Sequence, residues 1–98
     1  MVRITWMPEA AEELEQAWQW YAAQNPMVAE RFADEVARAL DVIADAPGRW
    51  MLAGHDTRRM PLHRFPFKVV YRWYPGDAIV KIVAIAHGKR RGGYWRDR

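Results

Sequence analysis

The sequence predicts an α+β fold in the order β-α-α-β-β-β: an antiparallel sheet with a two-helix hairpin packed on one face. Two stretches in the first half repeat apolar residues every three or four positions, and three apolar runs of strand length fill the second half. Turn-forming residues separate these segments. With 98 residues, the chain forms one domain, 1–98, since a second hydrophobic core would have too little surface to bury.

The first strand is the short β-branched and aromatic run Arg3 to Trp6. Pro8 suits the first turn of a helix, where its missing N–H needs no partner. From there Met7, Ala10, Ala11, Leu14, Ala17, Trp18 and Tyr21 form one face, which predicts a helix from Pro8 to Ala23. Asn25-Pro26 then gives an N-cap followed by Pro at N1. Val28, Phe32, Val36, Leu40 and Ile43 continue as a stripe that ends before Pro47-Gly48. Such a short connection makes the two helices antiparallel neighbours.

Residues 49 to 57 lack periodicity and are expected to form a loop. The runs Arg58–Arg64, Phe65–Tyr74 and Ala78–His87 are the remaining strands, with Pro75-Gly76 as a turn. If Tyr74 pairs with Asp77, then Phe67, Val69, Tyr71 and Trp73 share a helix-facing side with Ala78, Val80, Ile82, Ala84 and Ala86. Lys68, Val70 and Arg72 fall on the other side with Ile79, Lys81, Val83, Ile85 and His87, joined by Arg59 and His63. A two-residue Pro-Gly hairpin is poorly suited to strand twist, so a longer connection is also compatible with the sequence. Four cations, Arg59, Lys68, Arg72 and Lys81, thus share one face without an acid, and Lys89-Arg90-Arg91 follow. An exposed sheet face often carries charge, but crowded like charges do not stabilise it, so an anionic partner is expected.

The net charge of +3 conceals a division along the chain. Residues 1–56 hold four Arg and ten acids, whereas residues 57–98 hold eleven Lys or Arg and two acids. A C-terminal half of this kind suits nucleic acid or an acidic protein. There is no cysteine, and the three His lack metal-ligand spacing, which predicts neither a disulfide framework nor a zinc site. No apolar stretch reads as a signal peptide or a membrane span, so a cytoplasmic protein without membrane contact is expected.

Pro8-Glu9-Ala10, Asn25-Pro26 with Ala29 and Phe32, Phe65-Pro66-Phe67-Lys68-Val69-Val70-Tyr71-Arg72, and Ile85-Ala86-His87-Gly88-Lys89-Arg90-Arg91 follow one another in an order that resembles the RelE/ParE toxins of type II toxin-antitoxin modules. The Phe-Pro-Phe strand and the His-Gly-Lys-Arg-Arg segment carry most of the likeness. The resemblance implies a toxin that arrests growth when free, a cognate acidic antitoxin that wraps it in a hetero-oligomer, and no cofactor or metal. The RelE-like branch cleaves mRNA in the ribosomal A site. The ParE-like branch poisons DNA gyrase and cleaves nothing itself. An inert member would bind antitoxin alone.

Matched strand for strand, the nuclease branch's basic residues fall on Arg59, Lys68 and Arg90, and its tyrosine falls near Tyr94. The sequence departs from that branch at Pro61, where Lys is usual, and at Lys68, where Arg is common. Attack by a ribose 2′-OH needs a base, cations on the phosphate and an acid for the leaving oxygen. Lys68 and Arg90 suit the phosphate, and His87, His63 or Tyr94 suit proton transfer, so a nuclease would use Lys68, Arg90, His87 and Tyr94. Contact with target or nucleic acid would use Arg59, Lys68, Arg72, Lys81, Lys89, Arg90 and Arg91. Each proton-transfer candidate also has a structural alternative: a strand-end His commonly just hydrogen-bonds, and Tyr94-Trp95 could anchor the tail instead of stacking a base. Pro61, the seven residues after Arg91 and the long helices favour the ParE-like branch.

Overall fold

A computed structural model describes all 98 residues. Strand β1 (Arg3–Trp6) leads into α1 (Pro8–Gln24) and α2 (Pro26–Asp45), followed by β2 (Met51–Gly54), β3 (Thr57–Pro61), β4 (Phe67–Tyr74) and β5 (Ile79–His87). The two helices meet at one residue. The Asn25 N–H donates to the Tyr21 carbonyl and closes α1, while its side-chain oxygen accepts from Met27 N–H at 2.9 Å and opens α2. Pro8 and Pro26 stand in the first turns, as the sequence predicts.

The sheet has five strands in the order β1-β5-β4-β3-β2. Residues 51–54 form a strand where a loop was expected, paired with β3 across a turn in which Gly54, His55 and Asp56 all take positive φ. His55 and Asp56 are not glycine, so composition gave little sign of this turn. The added strand also explains a second difference. Each extra strand reverses the chain once more, so β5 returns parallel to β1 and the sheet is mixed.

The β4–β5 register differs from expectation in two ways. Pro75–Asp77 form a single 3-10 turn ending at Ala78 in the left-handed region, so Trp73 pairs with Val80 instead of Ala78. This shift of two residues preserves the faces. Further along, Tyr71 pairs with Ile82 but Val70 pairs with Ala84, and the bulge at Val83 exchanges the faces of the rest of β5. Ile85 therefore enters the helix-side core, while Ala84 and Ala86 leave it. His87, expected on the open face, lies against Phe67 with ring centroids 5.0 Å apart.

The main core joins Phe32, Val36 and Ile43 of α2 to Val69, Tyr71, Val80 and Ile82 of the sheet. Leu14 and Leu40 pack at its margin. Trp18 was expected inside and is 40% exposed, because α1 leans on β5 through Ala10 and Ala17 and turns the indole toward solvent. The Tyr71 hydroxyl donates to the Pro47 carbonyl at 2.5 Å, tying the sheet to the chain that leaves α2. No helix is long and apolar enough to cross a membrane.

Candidate functional site

Strand pairing brings four predicted cations to the sheet face opposite the helices. Arg72 is in register with Lys81, Arg59 with Val70, and Lys68 with Ala86. Lys68 and Arg72 are each partly exposed. The bulge spares this arrangement because Lys81 precedes it.

This face was expected to be uncovered, yet the tail after β5 crosses it. Trp95 is 2% exposed and packs on Val70, Val83, Ala84 and Ala86, forming a second small core. Of these, Ala84 and Ala86 are the small residues that the bulge turns outward. Lys68 Nζ stands 5.5 Å from the Trp95 ring centroid, and Arg72 donates to the Arg98 carbonyl at 2.8 Å. A longer contact of 3.4 Å reaches the His55 carbonyl. Arg59 lies at the far side, its guanidinium 3.1 Å from Met51 Sδ.

Glu13 of α1 fastens the tail. Strand β1 ends at Trp6, so the edge of β5 beyond Ile82 has no strand neighbour. There the Ile85 N–H donates to Glu13 Oε1 at 3.1 Å, and the Val83 carbonyl accepts from Arg98 Nη1 at 3.0 Å. Arg98 completes a two-pronged pair with Glu13 at 2.8 and 3.0 Å. The bond to Glu13 raises the Arg98 pKa further, against the effect of burial. Sequence reasoning missed both residues. Glu13 sits beside the Ala10–Ala17 stripe but reads as one more solvated acid of α1.

Tyr94 belongs to the same knot. Its hydroxyl donates to Glu13 Oε2 at 2.8 Å, and the Arg90 guanidinium stacks 3.9 Å from its ring centroid. Burial and then the carboxylate hold the Tyr94 pKa far above a phenol's ordinary value, with Arg90 and Arg98 opposing weakly. Arg90 also approaches Glu13 at 3.9 Å. His87 Nδ1 accepts from Lys89 N–H at 3.0 Å. The imidazole lines a small cavity of about 190 Å³ with Glu13, Phe67 and Arg90 on the helix side of β5. Lys89 and Arg91 are exposed, as is His63 in the β3–β4 connection.

The predicted residues thus form two groups. Arg59, Lys68, Arg72 and Lys81 occupy the outer face; His87, Arg90 and Tyr94 gather around Glu13 at the β5 edge. No three His, Asp or Glu side chains assemble into a group that could hold a metal ion.

A family model described as the ParE toxin of the type II toxin-antitoxin system, parDE, matches residues 4–92. The chain belongs to this toxin family, within the RelE/ParE superfamily. The toxin is 30% identical over 90 residues to Toxin RelE2 of Caulobacter vibrioides, a match that covers 92% of this chain and 99% of that protein. A solved structure described as the chromosomal ParDE TA system from P. aeruginosa aligns with a TM-score of 0.75. That alignment covers 89% of the toxin and 96% of the other chain at 18% identity, and supports the fold.

Proposed function

We propose that this toxin acts by contact, as a ParE-like poison of DNA gyrase, and that an acidic antitoxin neutralises it. One observation carries the proposal: Lys68 is separated from the groups suited to proton transfer, and Arg90, the phosphate-suited cation beside them, is stacked on Tyr94 and drawn toward Glu13. The Tyr94 hydroxyl is bonded to Glu13, and His87 faces Phe67 on the helix side, whereas Lys68 lies on the outer face. A general base and acid must both reach the reacting oxygens, which this separation disfavours. Pro61 directly opposite Lys68 supports the same reading, since the cation usual there in the nuclease branch is missing.

For the antitoxin, an apolar groove of about 540 Å³ between the helices adds a second support. Trp18, Leu14, Val36 and Leu40 line it, and an amphipathic segment that folds on binding suits such a surface. The alternative target is the ribosome, with the toxin as a RelE-like mRNA endonuclease. It is favoured by the likeness to Toxin RelE2 and by the acid-free outer face.

A toxicity assay of His87→Ala and Tyr94→Phe, run beside RNA end-mapping, tests the proposal. Arrest should persist in both variants without new RNA ends. Loss of cleavage by about 10² to 10⁴, with antitoxin binding intact, would establish the nuclease instead.

A further inference from the structure

On the flank of α2 away from the apolar groove, Arg31, Arg38, His63 and Arg64 line a cavity of about 730 Å³ with Asp34 and Glu35. The helix spacing offers two ready ion pairs, Arg31 with Glu35 and Asp34 with Arg38, each four residues apart. Neither forms. Glu35 instead turns to the β3–β4 connection, where its Oε2 accepts from His63 N–H at 2.7 Å and Arg64 N–H at 3.3 Å. This fixes the connection against α2 and places Arg64 at the cavity. The guanidiniums of Arg31, Arg38 and Arg64 have no acceptor in the protein.

Arg31 and Arg38 are seven residues apart, two helical turns or about 10 Å along the axis. An extended peptide covers that distance in three residues. We infer that this cavity is a binding site for an acidic peptide segment of a partner protein, its carboxylates taken by Arg31, Arg38 and Arg64. A nucleic acid suits it less well. Asp34 and Glu35 interrupt the cations and would repel a continuous phosphate backbone, but they tolerate separate carboxylates. Val28 and Phe65 at the rim offer apolar contact between the charges. The site lies on the helix side, so an acidic segment held there does not reach Lys68, Arg72 and Lys81 on the opposite face.

The inference rests on the reading that an acidic protein holds the toxin. It is tested by titrating the full chain at low salt with a peptide of glutamates separated by pairs of serines, and separately with a thymidine hexanucleotide, and following backbone amide shifts. The peptide should move residues 31–38 and 63–65. The double variant Arg31→Gln, Arg38→Gln should bind the peptide about tenfold more weakly, with an unchanged melting temperature because both side chains are exposed and unpaired. Lys68→Ala with Lys81→Ala should change peptide affinity by less than about twofold, and the oligonucleotide should move the outer face. Peptide shifts confined to the outer face, or equal losses in both double variants, would overturn the site while leaving an acidic partner intact. Absence of any peptide binding would remove both.

Discussion

Tyr94 and Lys68 separate chemistry from scaffold most sharply. Tyr94→Phe removes one hydrogen bond to a carboxylate and should lower stability by about 1.5 kcal/mol in denaturant melts. Contact-based toxicity should survive that loss at growth temperature. Lys68 is partly exposed with one ring contact, so Lys68→Ala should change stability by no more than about 0.5 kcal/mol. Reduced arrest by that variant would then report a lost target contact. Tyr71 yields a pH dependence. Burial pushes its phenol up to about 12, with Arg58 pulling the other way, while the unfolded group ionises near 10. The folded state therefore binds the proton more tightly. That stability is fully present below pH 10 and disappears as pH rises toward 12. Tyr94 and Tyr21 are shifted in the same direction, so thermal melts of Tyr71→Phe should keep a shallower alkaline decline than the parent chain. Of these residues, Lys68 was legible as an outer-face cation from strand alternation alone. The partners of Tyr94 were not, because Glu13 is 81 positions away and no local pattern joins them.

Helices, strands and tail differ in how much each depends on distant sequence. The helices were legible nearly to the residue because Pro8, Asn25-Pro26 and the apolar stripes are local signals. Strand β2 was not, since Met51 and Leu52 are exposed and show no buried alternation. The β5 bulge was equally hidden: Val-Ala-Ile-Ala is apolar throughout, so either parity buries it. Packing predicts unequal costs within the helical layer. Phe32, fully buried among Tyr21, Phe65 and Phe67, should cost about 3–5 kcal/mol when truncated to Ala, read as a drop in the denaturation midpoint. Trp18→Ala should cost much less and act instead on partner affinity, because its indole lies at the groove. For the tail, Glu13→Ala leaves Arg98 without its carboxylate and should destabilise by on the order of 3 kcal/mol. Amide exchange at Ile85 should rise in parallel, since its N–H loses its acceptor.

Over the whole molecule, the acidic first half and basic second half become two sides of one domain. The helical layer carries most of the acids, the outer face carries Arg59, Lys68, Arg72 and Lys81, and the tail adds Arg90, Arg91 and Arg96 at its margin. Association with an acidic antitoxin should accordingly be fast at low salt and slow steeply as salt rises, measured by stopped flow. The family and the fold were legible because the motifs that carry them are contiguous. The covering of the outer face was not, because it depends on a bulge, an anchoring Trp95 and a carboxylate from α1. Gyrase supplied with relaxed plasmid, ATP and the purified toxin tests action by contact most directly. Trapped DNA breaks should form that require both proteins and persist with His87→Ala and Tyr94→Phe. Plasmid supercoiled normally, while the same toxin preparation cuts mRNA on translating ribosomes, would contradict it.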